Sequence, residues 1–376
     1  MQADIMVIGA GSVGLAAGYQ LARRGARVVL LDEGAPPHAL GSHHGSTRLI
    51  RYAYGEGARY VPLLLRARRL WQELEAESGE PLLLPCGVLN LGRADSPFIH
   101  QVAASAREYG LALEQVARDE IARRWPAWQL PAGLAGAFEP EAGVLYCERA
   151  LLAWRRLAER AGARLLEHSA VRALSMDSKG GVTASTAQGE IRASTALLCA
   201  GQHTVTLLAG LGLSLPLTRV RKTFAWYRAD EKAMGPGCFP GFSADLAEGI
   251  YYGFPTLDGA GFKLGRHDGG QPLAPGEPLA PFGAFEEDGA ELDAVVRAYL
   301  PGVGELIEGK ACHYIRTPDE DFILDRHPEH ERLFFASACS GHGFKFAAVL
   351  GELFAHWMLD GDPGFDLAPF RLARFG

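Results

Sequence analysis

No apolar run in this sequence approaches the about 20 residues needed to cross a bilayer. Nor is there an excess of positive charge. Lys and Arg number 37 against 44 Asp and Glu, a net charge of −7, so neither nucleic acid nor an anionic membrane surface is an expected partner. The six cysteines (Cys86, Cys147, Cys199, Cys238, Cys312 and Cys339) show no CxxC or CxxH spacing, which argues against structural zinc and iron–sulfur centres. Internal repeats and low-complexity linkers are absent. The opening "MQADIMVIGAGSVG" enters a strand at once and leaves no room for a charged n-region, an apolar h-region and a cleavage site. The expectation is a cytoplasmic protein, in a compartment reducing enough to disfavour disulfides.

What remains is an ordinary globular composition, 48% hydrophobic and 22% charged. At 376 residues the chain can build one large or two interleaved domains, on a prior of about 150 residues per domain. The first 33 residues read as βαβ: a short apolar run "DIMVIG", a helix with Val13, Ala16, Ala17 and Leu21 at helical spacing that ends at Gly25, and a second strand "ARVVLLDE". A loop over 34–47 rich in Gly, His and Pro follows, then a long amphipathic helix around 60–79. Residues 217–311 are rich in aromatics, glycine and short strand-like pieces, consistent with a mixed or antiparallel sheet. The segment "RLFFASACSGHGFKFAAVLGELFAHWMLDG" returns to strand, glycine turn and helix.

Within the βαβ unit, "GAGSVG" supplies Gly9, Gly11 and Gly14 between strand and helix. The first allows a tight turn, the second lets a pyrophosphate approach the backbone, and the third lets helix and strand pack closely. The helix N-terminus meanwhile offers N–H groups to phosphate. Asp32, eighteen residues past Gly14, is placed to accept hydrogen bonds from a ribose. An acid there favours FAD or NAD over NADP. The apolar strand of "STALLCAGQHT", stopping at Gly201, suits a second pass of the chain beneath a larger dinucleotide. The helix start in "ASACSGHGFKFAAVLGE", with Gly341, Gly343 and Phe344, suits the electron-rich edge of a reduced flavin. Together these favour FAD. In "GKACHYIRTPDED" the residues alone leave Cys312 open as a packing residue, half of a disulfide, a metal ligand or a covalent anchor.

With those pieces in place, the sequence resembles the monomeric sarcosine oxidase and N-methyl-L-tryptophan oxidase family of covalent flavoenzymes, within the D-amino-acid-oxidase-like fold. The resemblance spans nearly the whole chain and rests on "GAGSVGLAAGYQLARRG", "PPHALGSHHGSTRLIRYAYGEGARYVPL", "YYGFP", "KLGRH", "TPDEDFILDRHPEH" and "SGHGFKFAAVLGE". "GVLNLGRADSPF", "VRKTFAWYRAD" and "FDLAPFRLARF" lean towards its N-methyltryptophan branch. The implied fold is α/β: an FAD-binding Rossmann-like domain (1–80, 145–215 and 312–376) into which a mixed or antiparallel substrate domain (81–144 and 216–311) is inserted.

The resemblance further implies one FAD per chain, attached as a thioether from Cys312 to the 8α-methyl group, a monomeric protein, and no metal. It puts His44 and Arg48 near the flavin, Arg51 and Lys345 on the substrate carboxylate, and Lys263 on the opposite flavin face, where a cation stabilises superoxide. His267, Tyr252, Tyr314 and Tyr60 match positions lining the substrate side. His313 and Arg316 receive no role. Where the family carries an acid, this chain has Ser46, which puts the pairing of Arg48 in question. Phe224 and Trp226 hint at aromatic surroundings. The implied reaction is oxidative demethylation of an N-methyl L-amino acid by hydride transfer to flavin N5, giving formaldehyde, the primary amino acid and hydrogen peroxide from O2. The alternatives are sarcosine, a cyclic imino acid such as pipecolate, or a glycated amino acid as substrate. Beyond that class lie a NAD-linked dehydrogenase and a non-catalytic flavin-binding protein.

Overall fold

The parity of two short strands sets up the first half of the molecule. In the computed structural model, which describes residues 2–376, Gln2–Ile8 and Val28–Leu31 run parallel, joined by the helix Ser12–Arg23. Alternate side chains of a strand leave opposite faces. Ile5, Val7, Val28 and Leu30 enter one core, Met6, Ile8, Val29 and Leu31 another. A strand buried on both faces needs a continuous apolar run, and both have one. The first core is completed by Ser12–Arg23 packed on Ala347–Asp360. They approach so closely that a Cβ on Gly351 would stand 2.5 Å from the Ala16 backbone.

The sheet built on this unit has eight strands. Gly189–Leu198 pairs parallel to Gln2–Ile8 on one edge and to Leu333–Ser337, and Arg164–Leu166 lies beyond Val28–Leu31. A nine-stranded sheet forms the second half. It is antiparallel except where Gly241–Leu246 pairs parallel with Val88–Arg93. One face packs Leu89, Phe242, Phe262 and Leu264 against Leu292, Val295 and Val296 of the helix Glu287–Tyr299. The opposite face carries Lys222, Phe224, Tyr252, Lys263, Cys312 and Tyr314, the intervening positions in the period of two. A third sheet of Thr47–Ile50, Gly143–Tyr146 and Leu83–Leu84 lies between them in the chain.

The α/β architecture, with its Rossmann-like half and its inserted mixed sheet, is the one expected from sequence. One boundary differs. The division at residue 312 falls inside the continuous strand Leu306–Arg316, which pairs with Thr218–Tyr227 along its length. Cys312 therefore belongs to the second sheet, and the chain rejoins the first only at Ile323–Arg326.

Candidate active site

A cavity of about 760 Å³ runs between the two sheets, at the upper part of the about 300–1,000 Å³ usual for small-molecule sites. At one end stand Gly9, Gly11, Asp32 and Gly201, and at the other Arg51, Tyr252, His267 and Lys345. Gly9 has φ +94°, and a Cβ there would lie 2.6 Å from the Cys199 carbonyl oxygen. Gly14 faces away from the cavity, where a Cβ would sit 1.8 Å from the Gly9 oxygen. Gly11 meets nothing closer than 3.6 Å, so the space before it is open to a ligand. The helix that begins at Ser12 has no side-chain cap, and Gly11, Ser12 and Val13 line the cavity. Uncapped N–H groups beside open space are the donor set a pyrophosphate needs.

Asp32 accepts from the Ala10 and Gly34 N–H groups at 2.7 and 2.9 Å, and contacts His38 Nε2 at 2.7 Å. Burial opposes its ionisation, but these bonds, His38 foremost, hold its pKa below the usual carboxylate value. His43 lies against Gly11 and Gly41, and its buried Nε2 has no partner among the described residues. An open glycine cradle, a buried carboxylate held ionised and an imidazole nitrogen without a partner among the described residues fit an adenine dinucleotide.

The far end is cationic. Arg51, buried, reaches Glu56 Oε1 at 2.5 Å through Nη2 and Asn90 Oδ1 at 3.4 Å through Nη1, while its Nε has no partner among the described residues. Asn90 donates to the buried Glu139, which also accepts from the Tyr52 and Ala53 N–H groups. That network fixes the chain on which Arg51 stands. Burial alone would raise the Glu56 carboxyl, but Arg51 holds it down to about 2. Glu56 is thus an internal carboxylate on the cation expected to receive a substrate's. Lys345 Nζ donates to the His342 carbonyl at 2.7 Å and to Tyr54 Oη at 3.2 Å. Burial, and after it the charge of Arg51, pushes Lys345 down to about 7.

Behind the cavity wall sits a second cationic group. Lys263 Nζ donates to the carbonyls of Gly45 and Thr47 and to Thr47 Oγ1, and lies 4.7 Å from the ring centroids of Phe224 and Phe254. Burial and Arg48 push it down to about 7. Arg48 donates to the carbonyls of Thr47, Ser42 and His44 at 2.7–2.9 Å. These acceptors pair Arg48 without any acid at position 46. Ser46 takes φ +69°, and Glu148 Oε1 accepts the Gly45 and Ser46 N–H groups. His44 is pushed down to about 4 by burial and Arg48, so near neutral pH it acts as a dipole, and the positive charge beside it is that of Arg48. Cys312 is a buried free thiol among Phe224, Trp226, Tyr314 and Cys339. Burial pushes it up to about 11, against the pull of Arg48, Lys263 and Lys222.

Of the residues singled out from sequence, Gly9, Gly11, Asp32, Arg48, Arg51, Gly201, Tyr252, His267, Tyr314, Gly341, Gly343, Phe344 and Lys345 line this cavity. His44, Lys263 and Cys312 stand beside it. Tyr60 is turned away: its hydroxyl donates to Asp321 Oδ1 at 2.7 Å and its ring packs among Tyr54, Phe322 and Phe346. The 3₁₀ turn Ala58–Tyr60 aims it into the core at the start of the helix Val61–Ser78. Sequence reasoning missed Tyr54, Glu56, Asn90, Glu139 and His342. Glu56 carried a signal, as a lone acid between two glycines five residues after Arg51.

The family described as "FAD dependent oxidoreductase" (DAO) matches residues 4–357. The N-methyl-L-tryptophan oxidases of Citrobacter koseri and Salmonella arizonae are 47% and 46% identical to this chain over 376 residues, covering all of both chains in each case. Among solved structures, NikD, "an unusual amino acid oxidase essential for nikkomycin biosynthesis", superposes with a TM-score of 0.88 at 26% identity, covering 98% of this chain and 97% of its own. Glycine oxidase from Geobacillus kaustophilus does so with a TM-score of 0.82 at 23% identity, covering 99% of both, a likeness of fold.

Proposed function

This chain belongs to the FAD dependent oxidoreductase family, and on that premise we propose that it oxidatively demethylates N-methyl L-amino acids, N-methyl-L-tryptophan foremost. The observation that carries the reading is the pair of buried cations at one end of the cavity. Among the described residues Arg51 Nε has no partner and one Lys345 N–H no acceptor, in a chain 47% identical over its full length to an N-methyl-L-tryptophan oxidase.

The substrate carboxylate docks on Arg51 and Lys345, displacing Glu56. A planar guanidinium offers the two-donor fork that a carboxylate matches best. This places the N-methyl group towards Tyr252, His267 and Tyr314 on the face of the second sheet. When bound, FAD supplies the two-electron chemistry, accepting a hydride equivalent from the N-methyl carbon and returning the electrons to O2. The balance is R–NH–CH3 + O2 + H2O giving R–NH2, formaldehyde and H2O2. His267 is pushed down to about 3 by burial and is neutral at pH 7, able to orient the amine by hydrogen bonding without repelling it. A site whose charges are mainly cationic, Arg48, Arg51 and Lys345 against Glu56, favours the uncharged amine, so no strong protein base is needed. Lys263 and Arg48 supply positive charge where oxygen takes up electrons. Cys312 is the residue we assign to the covalent tether. Its buried thiol would be activated by the three cations that oppose its desolvation.

A peroxide-release assay comparing N-methyl-L-tryptophan with sarcosine tests the reading, with a higher kcat/KM expected for the former. Absence of peroxide with either, from flavin-loaded protein, would refute it. Acid precipitation tests the tether. A yellow pellet is expected, and a colourless one with all pigment in the supernatant removes Cys312 from this role.

A further inference from the structure

The hydrogen-bond partners around Lys345 fix more than its place. Tyr54 is fully buried, its ring edge-on to Tyr60 and Phe346, and its hydroxyl lies 2.7 Å from His342 Nδ1. His342, itself buried, stacks on Phe322 with ring centroids 4.7 Å apart, and its Nε2 lies 3.0 Å from the Glu320 carbonyl oxygen. A carbonyl can only accept, so Nε2 carries the hydrogen and Nδ1 of the neutral ring is an acceptor. Tyr54 must then donate to His342, which leaves its oxygen to accept from Lys345. The ammonium of Lys345 has three N–H groups. One goes to the His342 carbonyl and one to Tyr54, and the third has no acceptor among the described residues although Lys345 lines the cavity. The direction of every bond in the chain Lys345–Tyr54–His342–Glu320 follows from its last member.

From this geometry we infer that Tyr54 and His342 are positioning residues, which clamp Lys345 so that its one uncommitted N–H points at the substrate carboxylate beside Arg51. The inference rests on the carboxylate role given to Lys345 above and adds what makes that lysine selective. A lysine on a four-carbon stem reaches many positions, and two fixed acceptors reduce them to one. The clamp acts on the carboxylate through Lys345; His342 also lines the cavity but Tyr54 does not, so Tyr54→Phe in particular weakens docking without altering the oxidation step. The same argument separates Tyr54 from Tyr60, whose hydroxyl is committed to Asp321.

The test uses flavin-loaded protein and two readouts. One is the Kd for indole-3-propionate, a carboxylate with no amine to oxidise, followed by the change in flavin absorbance. The other is kcat and KM for N-methyl-L-tryptophan. Tyr54→Phe and His342→Leu should each raise Kd and KM about tenfold, the loss expected for one hydrogen bond to a charged group, with kcat within about twofold. His342→Asn, whose Oδ1 can accept from Tyr54 as Nδ1 does, should regain most of what Leu loses. Thermal melting of each variant separates these effects from loss of fold. Lys345→Met is the reference. If it raises Kd while Tyr54→Phe does not, the clamp is refuted and the carboxylate role stands. Equal losses for His342→Asn and His342→Leu would reduce His342 to packing and also overturn the inference. If Lys345→Met itself leaves Kd unchanged, the carboxylate role fails, a separate result.

Discussion

The two cationic ends of the site are built from similar residues and are wired in opposite ways. Around Lys263 and Arg48, the bonded donors end on backbone carbonyls or Thr47 Oγ1. Around Arg51 and Lys345, among the described residues, one guanidinium nitrogen has no partner and one ammonium hydrogen no acceptor, and Glu56 is the side chain that the substrate carboxylate displaces in the proposed docking. Lys263, a buried cation with all three donors committed, can act on a neighbour only through its field. One with open donors invites an anion. The difference lies in hydrogen-bond accounting, since burial pushes both lysines down to about 7.

The contrast is broken most forcefully at Arg51. Arg51→Ala removes half of the docking fork and leaves Glu56 buried without its cation, so kcat/KM for N-methyl-L-tryptophan should fall about 10³-fold, mainly through KM. Lys263→Met should act on the other half-reaction. Stopped-flow reoxidation by O2 should slow about 10²-fold, the loss typical of one electrostatic stabiliser, while reduction by substrate changes little. Equal slowing of both half-reactions would mean that the two ends are not separable. Glu56→Gln sharpens the comparison with a gain. With the internal carboxylate neutralised, Arg51 is freed and the Kd for indole-3-propionate should fall about threefold to tenfold, whereas a rise would make Glu56 a scaffold for Arg51 and not its competitor.

How far the sequence alone could lead follows from the same wiring. The glycine cradle and Asp32 were legible because every part lies within 33 residues in one βαβ unit, whose geometry is local. The sharing of one sheet face by Lys263, Tyr252, Cys312 and Tyr314 was not, since it depends on register between strands far apart in the chain. Cys312 was reached only through resemblance, and its residue type left four readings open. The misplaced Tyr60 and the missed Tyr54 show the limit clearly. Both sit in "RYAYGEGARY", six residues apart, and neither lines the cavity: Tyr54 bears on it through Lys345, while Tyr60 is bonded to Asp321. Their partners, Asp321 and His342, are more than 250 residues away. The doubt over Ser46 came from comparing single positions. In three dimensions Arg48 is paired by the carbonyls of Thr47, Ser42 and His44, and Glu148, about 100 residues on, holds the Gly45 and Ser46 N–H groups.

The smallest expected effect is also the one that best separates the two lysines. In the ligand-free protein Lys345 lies near 7, so at pH 7.5 a good part of it is neutral. A carboxylate beside its open N–H favours the charged form and raises its pKa, so binding should take up a proton, roughly 0.5–0.8 per ligand at pH 7.5 and close to none at pH 5.5, where Lys345 is already charged. Affinity should accordingly weaken as pH rises above 7. Indole-3-propionate isolates this term because it has no amine to titrate. Among the other groups around Lys345, Arg51 and Arg48 remain charged and His342 and His267, at about 4 and 3, remain neutral; Glu56, held down by Arg51, rises once displaced, and repeating the titration in Glu56→Gln removes its share of the uptake. Glu139 is held by its bonds to Asn90 and to the Tyr52 and Ala53 N–H groups, none of them a group that the proposed carboxylate contacts. Calorimetric titration in two buffers of different ionisation enthalpy measures the uptake directly. Lys345→Met should abolish it, and Lys263→Met, which removes a lysine with the same depressed pKa but no open donor, should leave it in place. Loss of the uptake in the Lys263 variant would mean that the two cations titrate as one unit, and that hydrogen-bond commitment does not divide the site.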